Sequence, residues 1–171
     1  ALAHIAALKM GCSSLPLFTL FGPDALLHRL KDSGAKVVIT NAEGAAKIAA
    51  LRDQLPALER LLCIDASEAA EDFHAAVAGD STDFTPADTA SEDPAILIYT
   101  SGTTGNPKGV ELSNRNLFAL RKGTADAGLA YTQWEDDEVV LVAMPCAHIG
   151  GTGLGVMALA SGLPGYVLAE F

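Results

Sequence analysis

The stretch Tyr99 to Val110 reads YTSGTTGNPKGV and follows the apolar run AILIY. Hydroxyl side chains at Thr100, Ser101, Thr103 and Thr104 alternate with Gly102 and Gly105, and Lys108 closes the series. Glycine backbone can turn its N–H groups inward and approach an anion closely. Hydroxyls add short-reach donors, and a lysine adds a point charge suited to phosphate. These residues read as a phosphate cradle. The pattern is not the Walker loop, which needs Gly-Lys followed by Ser or Thr and then a helix. Here Pro107 precedes Lys108, and a strand is expected after Gly109. The bland alternative is a glycine-rich hairpin facing water, but a hairpin needs only about two to five turn residues. Lys108 is also the first Lys or Arg after Arg60.

His148, in PCAHIGG, is the second candidate. A neutral or protonated imidazole could hydrogen-bond a carboxylate. The competing reading is a packed histidine at a loop-to-helix junction. Cys146 lies two residues away and has no general base other than His148, so it is not read as a nucleophile. His4, His28 and His74 fall in helix-like segments and read as structural.

These residues need a scaffold. Ala1 to Met10 reads as a helix ended by Gly11, and SSLPLF as extended chain. Pro23 and Asp24 open a helix with Leu26, Leu27 and Leu30 on one face, closed by Gly34. KVVIT and RLLCID read as short strands, with a helix over Ala45–Leu51 between them. A further helix is expected near Ser67–Val77, then an acidic surface linker over 78–94. The span Asp65 to Asp93 holds nine acids and no lysine or arginine, the mark of a solvated face. AILIYTS and GVELS then form a hairpin. A helix from NRNLF, capped by Ser113 or Asn114, follows. EVVLVAM is a strand, PCAHIGGTG a loop, LGVMALASG a helix and GYVLAE a last strand. Alternation at this spacing predicts an α/β fold with a mixed, largely parallel sheet flanked by helices.

The totals bound the function. Half of the 171 residues are hydrophobic and the formal charge is −10, which disfavours nucleic acid as a partner. No apolar run reaches the roughly 18 residues of a transmembrane segment. Cys12, Cys63 and Cys146 are scattered, which predicts reduced thiols and a cytoplasmic protein, and no metal-ligand spacing occurs. The ends read as the middle of a helix and of a sheet, so an internal fragment is expected, with possible self-association through its exposed apolar faces.

YTSGTTGNPKGV resembles the signature loop of the adenylate-forming (AMP-binding) superfamily. The upstream AALKMGCSSLPLFTLFGPDALLHRLKDSGAKVVIT and the downstream VVLVAMPCAHIGG resemble segments of its acyl- and aryl-CoA synthetase branch. The resemblance implies a piece of the large N-terminal domain of such enzymes, with residues 1–171 inside one AMP-binding domain. It implies an acid–thiol ligase: a carboxylic acid attacks ATP, with Mg²⁺, to give an acyl-adenylate, and coenzyme A then takes the acyl group. Thr100, Ser101, Gly102, Thr103, Thr104, Gly105 and Lys108 would hold the β- and γ-phosphates, with Lys108 and Thr104 as the catalytic candidates. His148 would lie by the carboxylic acid, with Gly150 and Gly151 leaving room for its acyl or aryl group. No residue here is assigned to metal. Two departures stand out: Cys146 and Ala147 replace the family's frequent bulky pair before this histidine, and Asn114 stands where the family often has histidine. The adenine, ribose, metal and catalytic-lysine motifs of the family are absent from these residues, so the piece alone is expected to be inactive. Two alternatives are an adenylation domain that loads a carrier protein and a non-catalytic nucleotide-binding remnant.

Overall fold

The structure is a computed structural model, and it describes residues 2–79, 81–101, 105–129, 134–135 and 137–168. The chain divides into two compact units. One comprises residues 1–18 and 86–171, and the other residues 19–85.

The first unit opens with α1 (Leu2–Lys9). Beyond Gly11 the chain is extended, and Ser14 forms a parallel bridge to Ile96. The Ser14 N–H donates to the Ala95 carbonyl at 2.8 Å, and the Leu97 N–H donates back to the Ser14 carbonyl at 2.9 Å.

The second unit is a small parallel α/β layer. Its helix α2 (Pro23–Ser33) has proline in its first turn and ends at Gly34 in the left-handed conformation. Strand β1 (Val37–Thr40) leads into α3 (Ala42–Ala49), whose cap Asn41 accepts the Gly44 N–H. After a 3₁₀ turn over Arg52–Gln54, β2 (Arg60–Cys63) returns parallel to β1. Ala45 and Ile48 of α3 are buried, as are Leu61, Leu62 and Cys63 of β2 and Leu26 and Leu30 of α2.

The expected helix over Ser67–Val77 is shorter. Glu71–Asp72 is a two-residue strand, β3, parallel to β2. Only α4 (Phe73–Val77) is helical, capped by Asp72. An exposed ion pair between Arg60 and Glu71, 2.7 Å long, spans the β2–β3 pairing. The Arg60 guanidinium holds the Glu71 carboxyl below the usual carboxylate range.

Back in the first unit, β4 (Pro94–Thr100) and β5 (Lys108–Ser113) form an antiparallel hairpin. Ala95, Ile96 and Ile98 are buried against Leu8, Leu112, Leu117 and Val156. Helix α5 (Asn114–Asp126) starts from a capping box in which Ser113 accepts the Asn116 N–H and Asn116 accepts the Ser113 N–H. Ser113 is therefore the cap, and Asn114 is the first helical residue.

Strand β6 (Val140–Val142) is shorter than EVVLVAM suggests. It pairs in parallel with β7 (Gly165–Val167) through α6 (Ile149–Ser161). Val140, Val142 and Ala158 form a second buried cluster with Trp134, Leu154, Met157 and Leu163. One helix therefore serves both clusters: Val156 of α6 packs under β4, and Ala158 packs on β6.

The α/β class holds; among the described residues the strands make three parallel pairings and one antiparallel hairpin. Among the described residues the strands fall into three small sheets.

Residues 86–93 have no regular secondary structure and are exposed, yet their backbone is anchored at both ends. The Ala87 N–H donates to the Lys9 carbonyl at 2.8 Å. At the other end, the Arg115 and Asn114 N–H groups donate to the carbonyls of Ser91 and Asp93. The Asn114 amide donates to the Ala90 carbonyl at 3.0 Å, and Arg115 pairs with Glu92. The segment is a strap from the end of α1 to the start of α5.

Candidate functional site

The first candidate segment lies at the tip of the β4–β5 hairpin. In the strand register Thr100 stands opposite Lys108, so this pair closes the loop of residues 101–107. The strands hold the two ends of the cradle side by side, as a buried platform should. Thr100, Ser101 and Lys108 are exposed. Among the described residues no carboxylate pairs with Lys108. Gly105 has φ 119°, a conformation that L side chains rarely adopt, and among the described residues a Cβ there would touch nothing within 4 Å. That is glycine used for backbone freedom. Gly102, Thr103 and Thr104 lie outside the described residues.

The second candidate segment runs from the end of β6 into α6. His148 is exposed and is the N-cap of α6, its Nδ1 accepting the Gly150 N–H at 3.0 Å. An accepting Nδ1 places the ring proton on Nε2, which is then the free donor. The helix is pinned from beneath as well. The His148 N–H donates to the Pro145 carbonyl, and Thr152 Oγ1 donates to the Cys146 carbonyl. Cys146 is an exposed free thiol.

The structure corrects the loop expected over PCAHIGGTG, because α6 begins at Ile149 and takes Gly150 and Gly151 into its first turn. It also shows what fills the space beside them. A Cβ at Gly151 would lie 2.3 Å from the Met144 carbonyl oxygen and 2.4 Å from that of Pro145. A Cβ at Gly150 would lie 2.7 Å from the Met144 thioether and 3.2 Å from His148 Nδ1. Backbone takes the room at Gly151, and a flexible side chain takes the room at Gly150. Met144 and Thr152 were not singled out by sequence. An apolar residue before a proline carries no signal of such contacts.

The other histidines have local partners. His4 Nδ1 hydrogen-bonds Ser14, and burial pushes its imidazole below the ordinary value. His74 Nε2 lies 3.2 Å from the Ile64 carbonyl.

Both candidate segments belong to the first unit, and α6 links them: His148 caps it, and its Val156 packs under β4. A family model described as AMP-binding enzyme matches residues 1–170. The chain belongs to this AMP-binding family. It is 33% identical over 171 aligned residues to the long-chain-fatty-acid–CoA ligase FadD15 of Mycobacterium bovis, covering 94% of this chain and 28% of that protein. It is 31% identical over 143 residues to the fatty acid–[acyl-carrier-protein] ligase ScoC of Streptomyces coeruleorubidus, covering 84% and 26%. Among solved structures it resembles the anthranilate CoA ligase AuaEII in complex with anthranoyl-AMP. The TM-score is 0.84 at 25% identity, over 99% of this chain and 32% of that one. The chain thus spans about a quarter of the length of the curated relatives it matches.

Proposed function

We propose that this AMP-binding chain supplies the phosphate grip and one edge of the acid site in an acid–thiol ligase. The full-length protein joins a carboxylic acid to ATP, releasing pyrophosphate and forming an acyl-adenylate. It then transfers the acyl group to the thiol of coenzyme A. The observation that carries this reading is the Thr100–Lys108 pair at the mouth of the hydroxyl- and glycine-rich loop.

The residues suit the leaving group. Pyrophosphate leaves readily only when its charge is neutralised, and donors aimed at that charge act most strongly where it develops. Thr100, Ser101, Thr103, Thr104 and Lys108, with the N–H groups of Gly102 and Gly105, hold the β- and γ-phosphates in this reading. Lys108 is the counter-charge as the bond to the α-phosphorus breaks, and Thr104 is the second catalytic residue of this reading. Mg²⁺, bound with ATP, supplies further charge neutralisation. Among the described residues no group of three His, Cys, Asp or Glu gathers as a metal cage. His148 directs Nε2–H to the acid's carboxylate. Gly150 and Gly151, with no side chains of their own, border the acyl or aryl group in this reading.

We assign residues 1–171 to one AMP-binding domain, part of the large N-terminal domain, with 78–94 as its surface linker. The 171 residues alone make no adenylate, because the other end of ATP stays unheld and in-line geometry is lost. We infer a cytoplasmic protein, a reading supported by its three scattered cysteines, Cys12, Cys63 and Cys146. Among the described residues no helix is long and apolar enough to cross a membrane. The similarity to ScoC supports a second acceptor, a carrier-protein thiol in place of coenzyme A.

The test is acid-dependent exchange of labelled pyrophosphate into ATP by the full-length protein, across a panel of fatty and aromatic acids. Exchange that needs the acid, with AMP formed once coenzyme A or a carrier protein is added, supports the reading. ADP as product, or no acid dependence across the panel, overturns it.

A further inference from the structure

Gly150 has an unusual neighbourhood. Three atoms crowd the point where its side chain would start: Met144 Sδ at 2.7 Å, Met144 Cε at 3.0 Å and His148 Nδ1 at 3.2 Å. The thioether and the imidazole nitrogen therefore flank one small space. That nitrogen is also the atom that accepts the Gly150 N–H. Met144 is itself 44% exposed, so the interior does not demand its bulk. Its reach comes instead from the turn Met144–Pro145, whose carbonyls are seated against Gly151.

An exposed histidine at a helix start has two ring nitrogens of near-equal standing and a freely turning ring. Here the Gly150 N–H selects Nδ1 as acceptor, and this works only while the ring stays close to the helix end. Methionine suits the role of a wedge because its thioether is polarizable and its three rotatable bonds let it fill an irregular gap.

We infer that Met144 is a positioning residue for His148: its thioether fills the space at Gly150 and keeps the imidazole with Nδ1 on the helix and Nε2–H turned outward. The inference deepens the acid-site reading above, since that reading needs Nε2–H as the donor to the carboxylate. Met144 touches no reacting atom in this account and acts only through the ring.

Two substitutions approach the contact from opposite sides. Met144→Ala empties the space, and Gly150→Ala fills it from the helix and displaces the thioether. The first readout needs no substrate: the ¹⁵N shifts of His148 in the full-length protein, which report which ring nitrogen carries the proton. The wild type shows mainly the form with a bare Nδ1. Both variants show a mixture, and Met144→Leu, which nearly keeps the volume, stays close to the wild type. The second readout is kinetic. Sharing the proton between the two nitrogens weakens the hydrogen bond to the acid's carboxylate and raises the acid's KM by roughly two- to tenfold in Met144→Ala, with the KM for ATP unchanged.

Unchanged ring shifts in both variants overturn the inference. The two ideas fail separately. If His148→Ala leaves the acid's KM unaltered, the acid-site reading is wrong, while a tautomer mixture in Met144→Ala still upholds the positioning role. Should Gly150→Ala fold poorly, the exposed Met144 position still decides the matter.

Discussion

The two candidate segments use glycine in opposite ways. At the hairpin tip Gly105 adopts φ 119°, with nothing among the described residues within 4 Å of its missing side chain. At the start of α6, Gly151 has an ordinary backbone and no room at all, with two carbonyl oxygens inside 2.5 Å of the Cβ position. The first glycine permits movement, and the second permits contact. In the function proposed above, the loop grips ATP and then releases pyrophosphate, which calls for the former. The same proposal has His148 present one particular nitrogen, which calls for the latter.

The comparison breaks first at its charge. Lys108→Ala in the full-length protein removes a charged donor from the cradle, a loss of about 2–4 kcal/mol or roughly 10²–10³ in adenylation rate. The melting temperature is unchanged, because Lys108 is exposed. A rate within a few-fold of the wild type takes Lys108 out of the mechanism.

Gly151→Ala comes next. A methyl forced against two backbone carbonyls must move the Met144–Pro145 turn, at about 1–3 kcal/mol. The expected result is a lower denaturation midpoint together with a raised KM for the acid. Full stability in this variant would mean that the seat is softer than its geometry implies.

Gly105→Ala is the mirror test. Free of ligand, the exposed tip relaxes to a φ that alanine accepts, so the cost of about 1 kcal/mol falls on restoring the gripping conformation, roughly fivefold in KM for ATP, with the melting temperature preserved. If this variant instead melts early while handling ATP normally, the contrast between the two glycines collapses.

Smaller again is Ser113→Ala, which removes the cap of α5 at the far end of the hairpin. An exposed cap of this kind contributes about 0.5–1 kcal/mol. Thermal unfolding of Ser113→Ala beside Ser113→Asp, which can still accept the Asn116 N–H, separates loss of the cap from other effects of the change.

The smallest effect is one of pH. His4 is shifted below its ordinary value of 6.5 by burial. The unfolded chain then binds the proton more readily, so the contribution is complete above the unfolded value and fades as pH falls through the folded one. The melting temperature of the wild type should drop more than that of His4→Gln as pH is lowered from about 7.5 to 5, around the histidine pKa. Parallel curves would show that the His4–Ser14 contact carries no such linkage.

Much of this was visible in the residues. The hairpin was legible because an apolar run, a long glycine and hydroxyl loop and a second short strand leave few other arrangements. Gly34 and Ser113 marked helix ends by their own chemistry. The start of α6 was not legible, because two adjacent glycines argue locally against helix. They are helical because the Met144 and Pro145 carbonyls leave space for nothing larger at Gly151. Strand β3 was hidden for a different reason: Glu71 and Asp72 are exposed acids with no apolar alternation, and their pairing with β2 is marked by the ion pair to Arg60. The strap over 86–93 is held mainly by backbone groups, which every residue carries, so composition read only its exposure.

The bridge between Ser14 and Ile96 sets a timetable for the chain during its synthesis. The two partners lie about 80 residues apart, and the whole second unit is made between them. At roughly 5–20 residues per second, α1 and Ser14 wait on the order of 4–16 s for β4 to arrive. The parallel strands β1 and β2 lie within that interval and have their partners at hand at once. On the ribosome the second unit therefore completes first, while the apolar residues of the opening segment, Leu8 among them, stay without their seat on β4. Nascent-chain chaperones would meet the protein at the stretch from α1 to Ser14, and an amino-acid change there would act on yield before it acted on catalysis.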